Sequence, residues 1–260
     1  KNEYDRKVKA ISEELKNIPY NYSKFLDEYL QNQEKYSWLA HKTKIAYDIL
    51  SVAFLSDLKN TDASLKKAFN MLITFDEIDE TLLKGIIYLT FRIPTEYIKE
   101  LKNADRFYTL LYNALAINNE IYRAIAWNTA SNLGYEKGLK ERKDYFLELF
   151  KSKYVWWRSY VWDTVPALID RGIISADDKE VFLELLASVN ERVRLSAWNN
   201  VPALIDKGII SAYEVKERKE YFLELLASED EFVRSYAEFS ALTLIKKGVL
   251  SMDEVEGHSK

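Results

Sequence analysis

The side chains best suited to hold a partner recur at one place in three stretches of similar sequence. In each stretch a tryptophan is followed directly by an asparagine or aspartate, whose side chain can pair with the backbone of an extended chain. The pairs are Trp127 and Asn128, Trp162 and Asp163, and Trp198 and Asn199. One interpretation is a ligand-binding row. The other is that the tryptophans pack between neighbouring elements while the polar residues only face solvent.

A second candidate is the aromatic segment VWWRSYVW, which runs from Val155 to Trp162. Trp156 and Trp157 are adjacent, so a helix cannot turn both toward a core, and one of them is expected to be exposed or to touch a partner. Arg158 would add a positive charge beside them. The segment predicts an interaction site, and self-association through it is a further hypothesis.

Catalytic and cofactor chemistry find little support in the sequence. The chain has no cysteine, and His41 and His258 are its two histidines. This excludes thiolate ligands and nucleophiles, and no histidine pair has the spacing of metal ligands. Neither a glycine-rich phosphate loop nor a nucleophile elbow is present. We therefore expect no catalytic residue, no metal site and no cofactor.

Composition sets the class of the fold and weighs against some partners. Of 260 residues, 48% are hydrophobic and 30% charged, with 7 glycines and 4 prolines, which is typical of a folded, helical chain. The net charge of −4 argues mildly against a protein that grips nucleic acid. No apolar run approaches the ~20 residues of a membrane span, so a cytoplasmic location is expected. Abundant lysine and glutamate are typical of thermophile proteins.

The elements that position the candidate residues belong to an internal repeat. YFLELF, VFLELL and YFLELL begin at Tyr145, Val181 and Tyr221, and a less regular copy begins at Leu110. Apolar residues follow a helical period in both halves of the repeat, so each copy is expected to form two helices. An arginine stands thirteen residues after each start, and these repeat arginines are Arg123, Arg158, Arg194 and Arg234.

Residue types at the ends of the expected second helices agree with this interpretation. Helix N-caps are predicted at Asn119, Asn190 and Asp230. Left-handed residues that end the helix are predicted at Gly172, Gly208 and Gly248. Capping boxes that open the next helix are predicted at Ser175 with Asp178, Ser211 with Glu214, and Ser251 with Glu254. Pro166 and Pro202 fall inside the second helices and predict a kink in each.

Two strings carry a resemblance to a known family. LLASEDEFVRSYA, from Leu225 to Ala237, and LLASVNERVRLSA, from Leu185 to Ala197, resemble the signature of HEAT repeats. The resemblance implies an all-α fold, an α-α superhelix (solenoid) of about six helix pairs. It also implies that the second helices line a concave face. The resemblance implies that the four repeat arginines, Arg123, Arg158, Arg194 and Arg234, are structural first and ligand-binding second. The structural ladder between repeats comprises Arg123, Arg194, Arg234, Asn119, Asn190 and Asp230.

A single repeat domain over residues 1–260 is expected, with three parts. Residues 1–109 would hold degenerate repeats: an end cap from Tyr4 to Leu15, a pair within 25–58 and a pair from Ala68 to Thr90 around the acidic turn DEIDE. Residues 110–250 would hold four clear repeats, which start near 110, 145, 181 and 221. Residues 251–260 would form a half-repeat or tail.

The expected function is that of a non-enzymatic scaffold, which binds a protein or peptide along the concave face. Two alternatives stay open: a HEAT-like nucleic-acid-binding protein or DNA glycosylase, for which Trp162 and Asp163 would serve, and a self-associating structural protein. A monomer and a dimer are both compatible with the sequence. The candidate partner-binding residues are Trp127, Asn128, Trp156, Arg158, Trp162, Asp163, Trp198 and Asn199.

Overall fold

The computed structural model describes residues 62–75, 77–101, 103–152 and 155–258, without the side chains of 62–64, 67–68 and 155–157. These residues form α-helices and short 3₁₀ segments, and no strand occurs among them, which confirms the all-α class for this part of the chain. They fall into two compact units that divide between Ile117 and Asn118. The end cap from Tyr4 to Leu15 and the pair within 25–58 lie outside the described residues, and a single domain over 1–260 stays a prediction.

The first unit is built on a helix pair around the acidic turn. Its helices are α1 (Asp62–Leu72), α2 (Glu80–Leu89), α3 (Thr95–Lys99) and α4 (Ala104–Ala114). Helix α2 packs against both α1 and α4. Asp79 caps α2, since its carboxylate accepts a hydrogen bond from the Leu82 N–H at 2.8 Å. Helices therefore lie on both sides of the turn, and the first of them already includes Asp62, before the predicted start at Ala68.

The second unit is organised by four long helices that follow one another in space as they do along the chain. They are α5 (Glu120–Leu133), α8 (Val155–Asp170), α10 (Glu191–Asp206) and α13 (Glu231–Lys246). The short helices are α6 (Glu136–Glu141), α7 (Lys143–Leu147), α9 (Lys179–Leu185), α11 (Ala212–Lys216), α12 (Lys219–Leu226) and α14 (Met252–Glu256). The 3₁₀ segments are Glu148–Lys151 and Ala176–Asp178.

The long helices are the second helices of the sequence repeat, and consecutive ones pack side by side. Helix α5 packs on α8, α8 on α10, and α10 on α13. The short helices of the first half of each repeat lie against them: α7 on α5, α9 on α10, and α12 on both α10 and α13. Because each second helix meets the next, a residue type that recurs at one position of the repeat forms a row across the unit.

The ends of the second helices are fixed by the residues predicted to cap them. Each N-cap side chain accepts hydrogen bonds from two backbone N–H groups of the first turn, which otherwise lack a partner. These caps are Asn119, Asn190 and Asp230. A glycine with positive φ follows each of the four second helices, and the residue after it donates back into the helix, as the Ile209 N–H does to the Leu204 carbonyl at 2.9 Å. The predicted glycines are Gly172 after α8, Gly208 after α10 and Gly248 after α13, with φ of 64°, 69° and 72°. Gly134, with φ of 72°, ends α5 and is not among the predicted positions.

The three predicted capping boxes are present and position the elements that follow. At the second of them, the Glu214 N–H donates to the Ser211 hydroxyl oxygen at 3.2 Å, and the Ser211 N–H donates to the Glu214 carboxylate at 2.9 Å. The serine and acid pairs are Ser175 with Asp178, Ser211 with Glu214, and Ser251 with Glu254. Each box thereby places a carboxylate at the start of the next repeat.

Pro166 and Pro202 lie inside α8 and α10 as predicted, and both helices continue through them. Because proline donates no N–H, the carbonyl four residues earlier loses its helical partner. On α8 the Thr164 hydroxyl does not replace that donor, because it donates to the Tyr160 carbonyl at 3.1 Å. The kink expected at each proline stays a prediction.

Candidate functional site

The three repeat tryptophans lie in the core of the second unit, with at most 5% of each exposed. Each indole packs on a phenylalanine that the next repeat supplies from its first half. The ring-centroid distances are 5.0 Å for Trp127 and Phe146, 5.8 Å for Trp162 and Phe182, and 5.2 Å for Trp198 and Phe222. These indoles therefore pack between neighbouring repeats, and their buried rings are not accessible to a partner.

The repeat arginines also face inward, and they form hydrogen bonds to the turns that precede the second helices. In three copies the arginine Nη1 donates to the carbonyl of a serine six residues earlier. These bonds join Arg158 to Ser152, Arg194 to Ser188 at 3.1 Å, and Arg234 to Ser228 at 2.6 Å. Arg158 is only 1% exposed. Its burial, and then the charge of Arg192, lower the pKa of its guanidinium. Arg158 therefore carries no accessible charge to the surface.

Two of the repeat arginines also reach across to the following repeat. Arg123 Nη1 lies 3.0 Å from Glu148 Oε2, and Arg194 Nη2 lies 3.3 Å from Glu224 Oε2. These acids lie in the first half of the next repeat. The turn acid Asp230 instead pairs with Arg192 of the preceding repeat, at 3.0 Å. Ion pairs therefore link successive repeats, and arginines at two different positions of the repeat form them.

A serine-to-glutamate bond between repeats occurs at two places. Glu120 Oε2 accepts from the Ser152 hydroxyl at 2.5 Å, and Glu191 Oε2 accepts from the Ser228 hydroxyl at 2.8 Å. The repeat between them has Val155 where the other two have glutamate. Valine has no acceptor, so this bond cannot form from α8.

Lysines form a series of ion pairs between repeats that the sequence analysis did not predict. Each lysine at the start of a first half pairs with the carboxylate that closes the capping box of the next repeat. The pairs are Lys143 with Asp178 at 2.7 Å, Lys179 with Glu214 at 2.8 Å, and Lys219 with Glu254. The sequence feature that could have indicated these pairs is the constant separation of 35 residues between each lysine and its carboxylate. The lysine bonds, with those from Ser211 and Ser251, lower the pKa of both Glu214 and Glu254 to about 2.

The residue after each tryptophan points away from the core, because adjacent residues of a helix diverge by about 100°. Asp163 and Asn199 are exposed and Asn128 is half-buried. Asn128 Nδ2 donates to Thr164 Oγ1 on α8 at 3.4 Å, and Asn199 Oδ1 accepts from Ser240 Oγ on α13 at 2.6 Å. We call Asn128, Asp163 and Asn199 the polar row. It runs across α5, α8 and α10 at one position of the repeat.

The polar row leads to an aromatic surface on α13. Phe239 stands at the same position of its repeat as the polar row does in the others, and it is 84% exposed. Phe232 and Tyr236, both about half exposed, precede it on the same helix, and their tilted rings have centroids 4.5 Å apart. The Arg192 guanidinium lies 5.5 Å from the centroid of the Phe232 ring. Exposed aromatic groups of this kind mark interaction sites.

The described part of the segment VWWRSYVW contributes little to this surface. Arg158, Val161 and Trp162 are buried and Tyr160 is half-buried. Burial, and then the negative charge of Asp163, raise the pKa of the Tyr160 phenol. The side chains of Trp156 and Trp157 lie outside the described residues, so the exposed tryptophan stays a prediction.

Cations at the ends of α10 and α13 are neutralised by acids. Arg192 pairs with Asp230 at 3.0 Å, Lys207 with Asp170 at 2.5 Å, and Lys247 with Asp206. Asp163 adds a further exposed carboxylate. This arrangement lacks the basic excess on which phosphate binding depends.

The described residues contain neither a cluster of metal ligands nor a helix suited to cross a membrane. No group of three or more His, Asp or Glu side chains there could hold a metal ion. No helix of the described part combines the length and apolar character that crossing a bilayer requires.

Comparison with known proteins gives little independent guidance. No protein-family model and no curated protein matches the chain. Among solved structures, the crystal structure of an engineered protein aligns at 20% identity and a TM-score of 0.43, covering 78% of this chain and 89% of that chain. A similarity at this TM-score leaves the fold to be judged from the contacts within the chain itself.

Proposed function

We propose that this chain is a HEAT-like α-α solenoid and that it serves as a non-enzymatic scaffold, which holds an extended protein or peptide segment against its second helices. Three observations support the solenoid: the HEAT-like strings, the packing of consecutive second helices, and contacts that repeat at each junction. The tryptophan–phenylalanine and lysine–carboxylate contacts both recur in three successive copies.

The polar row is the observation that carries the binding function. Neighbouring packed helices lie about 8–10 Å apart, and an extended chain rises about 3.3 Å per residue. One row residue would therefore meet about every third residue of a segment laid across the helices. Side-chain amides both donate and accept, so Asn128 and Asn199 suit the backbone of such a segment. Phe239 would supply an apolar contact where the row ends.

The nucleic-acid alternative has less support from this surface. Asp163 stands in the row itself, and Arg192, Lys207 and Lys247, at the ends of α10 and α13, are already paired with acids. A bound strand would have to break these pairs or bring its phosphates close to exposed carboxylates, and both cost free energy.

Site-specific photo-crosslinking in cells of the source organism tests the proposal. A photoreactive amino acid replaces Asp163 or Asn199 in the polar row, and in matched controls replaces Glu184 or Glu220, which are equally exposed but lie on α9 and α12. We expect one protein adduct of the same mass at both row positions and not at the controls. Asp163→Lys, introduced alongside the probe at position 199, should reduce that adduct because a row residue is lost.

Two results would contradict the proposal. One is an adduct that forms equally at Glu220, which would place the partner on the other helices. The other is a nucleic-acid adduct at the row, accompanied by duplex DNA binding at physiological salt that Arg192→Glu abolishes. Arg192 suits this variant because its side chain is 50% exposed and can reach a bound strand.

A further inference from the structure

Helix α13 exposes one position of the repeat that is buried on the other three second helices. On α10, Trp198 lies four residues after the repeat arginine and is fully buried against the next repeat. The equivalent residue of α13 is Glu238, which is exposed. Leu242 and Lys246 continue the same side of the helix at steps of four residues, and Leu242 is 58% exposed. We call Glu238, Leu242 and Lys246 the end face.

The end face differs in chemistry from the junctions inside the second unit. Each of those junctions is centred on an indole that packs against a phenylalanine. Glutamate offers no such ring, so a repeat of the same type would find no aromatic partner at this position. Leu242 nevertheless keeps an apolar side chain in solvent, with the 84% exposed Phe239 at its border. An apolar centre between charged residues is typical of a protein interface.

The two charges of the end face are placed symmetrically about Leu242. Glu238 precedes it by four residues and Lys246 follows it by four. At 1.5 Å per residue they are about 12 Å apart along the helix, too far to pair with each other. Neither makes a salt bridge to any other described residue. Both charges are therefore available to a partner with the reverse order of charges.

We propose that the end face binds the end face of a second copy of this chain, as an antiparallel pair of α13 helices related by a two-fold axis at Leu242. With the axis at Leu242, a residue that precedes Leu242 in one chain lies opposite the residue that follows Leu242 by the same number of positions in the other chain. Leu242 then meets its own copy, and Glu238 of each chain meets Lys246 of the other, which gives two ion pairs around an apolar contact. A parallel pair would instead oppose like charges. The polar row plays no part in this contact.

Analytical ultracentrifugation over a concentration series tests the dimer. A contact of one helix pair is small, so a dissociation constant in the micromolar range is expected. Leu242→Asp buries a carboxylate at the axis and should raise the dissociation constant at least about tenfold. The control is Val189→Asp, at an apolar residue that is 98% exposed before α10 and should change nothing.

Charge reversal distinguishes this specific pairing from nonspecific association. In the Glu238→Lys variant, two lysines face each other on each side of the axis. Their repulsion should weaken the dimer at least about tenfold at low salt. Combining it with Lys246→Glu restores opposite charges in reversed order, so the double variant should return to within about threefold of the original affinity. Circular dichroism melts show whether each variant is still folded.

The inference is overturned by a chain that stays monomeric up to about 100 µM, a concentration well above a micromolar dissociation constant. It is also overturned if Leu242→Asp leaves the dimer intact, or if the double charge reversal does not recover what Glu238→Lys loses. Asp163→Lys should leave self-association unchanged while it weakens cross-linking at the polar row. Failure of the dimer and failure of the scaffold proposal can thereby be told apart.

Discussion

At the scale of single residues, adjacent positions of one helix have opposite roles. Trp198 is fully buried and its indole N–H donates to the Leu186 carbonyl at 3.0 Å, whereas Asn199 is exposed. The sequence predicts that the two diverge, because helical geometry is local. It leaves open which of them faces the core, since that depends on Phe222, which a different helix brings into place.

Truncation of these two neighbours should give very different losses of stability. Trp198→Ala removes a buried indole and leaves a cavity, so we expect the free energy of unfolding to fall by about 3–5 kcal/mol. Asn199→Ala, the matched control, removes an exposed amide and should change it by less than about 1 kcal/mol. Urea titrations of both variants measure this. Equal losses would mean that the indole is not a core contact between repeats.

At the scale of elements, local features of the helix ends could be predicted and contacts between repeats could not. Caps such as Asn190 and left-handed glycines such as Gly208 follow from side-chain chemistry within a few residues. The bond from Lys179 to Glu214 joins residues far apart in the chain, and it depends on how one first half lies over the next. Lysine and glutamate are abundant in this sequence, so residue type alone could not select that pair.

The capping carboxylates should make stability depend on pH in an acidic window. The pKa values of Glu214 and Glu254 are lowered from 4.5 to about 2, so between these values the unfolded chain binds more protons than the folded one. Their stabilising effect is therefore complete above about pH 4.5 and is lost as the pH falls toward 2. Solvent screening keeps the effect small, and added salt should reduce it further.

Urea midpoints measured between pH 2 and pH 6 check this expectation. The variant Glu214→Gln/Glu254→Gln should have a lower midpoint near neutral pH and a flatter profile between about pH 4.5 and 2, because the titrating groups are gone. Asp253→Asn, which removes an exposed carboxylate of α14 outside the serine–acid pair of the capping box, serves as the control. If the double variant kept the acidic slope of the parent, other carboxyl groups would be responsible for it.

At the scale of the whole molecule, the regular part of the chain is where sequence interpretation worked best. The second unit repeats one set of contacts, so a periodic sequence indicates both its elements and their order. The first unit has less regular sequence, and its helix pair could be placed only around the acidic turn before α2. The polar row follows from the repeat, but the end face does not, because Glu238 and Leu242 break the repeating pattern.

A defect in one second helix should spread through its own unit by way of its neighbours. Because α10 packs on both α8 and α13, Trp198→Ala should lower amide hydrogen-exchange protection in all three helices. The described helices of the first unit, α1 to α4, belong to a separate compact unit and should lose less protection. Mass spectrometry of peptides from both units measures this, with Asn199→Ala as the control that leaves protection unchanged. Loss confined to α10, or equal loss in α2 and α13, would contradict a unit in which each repeat is stabilised by the repeats on either side of it.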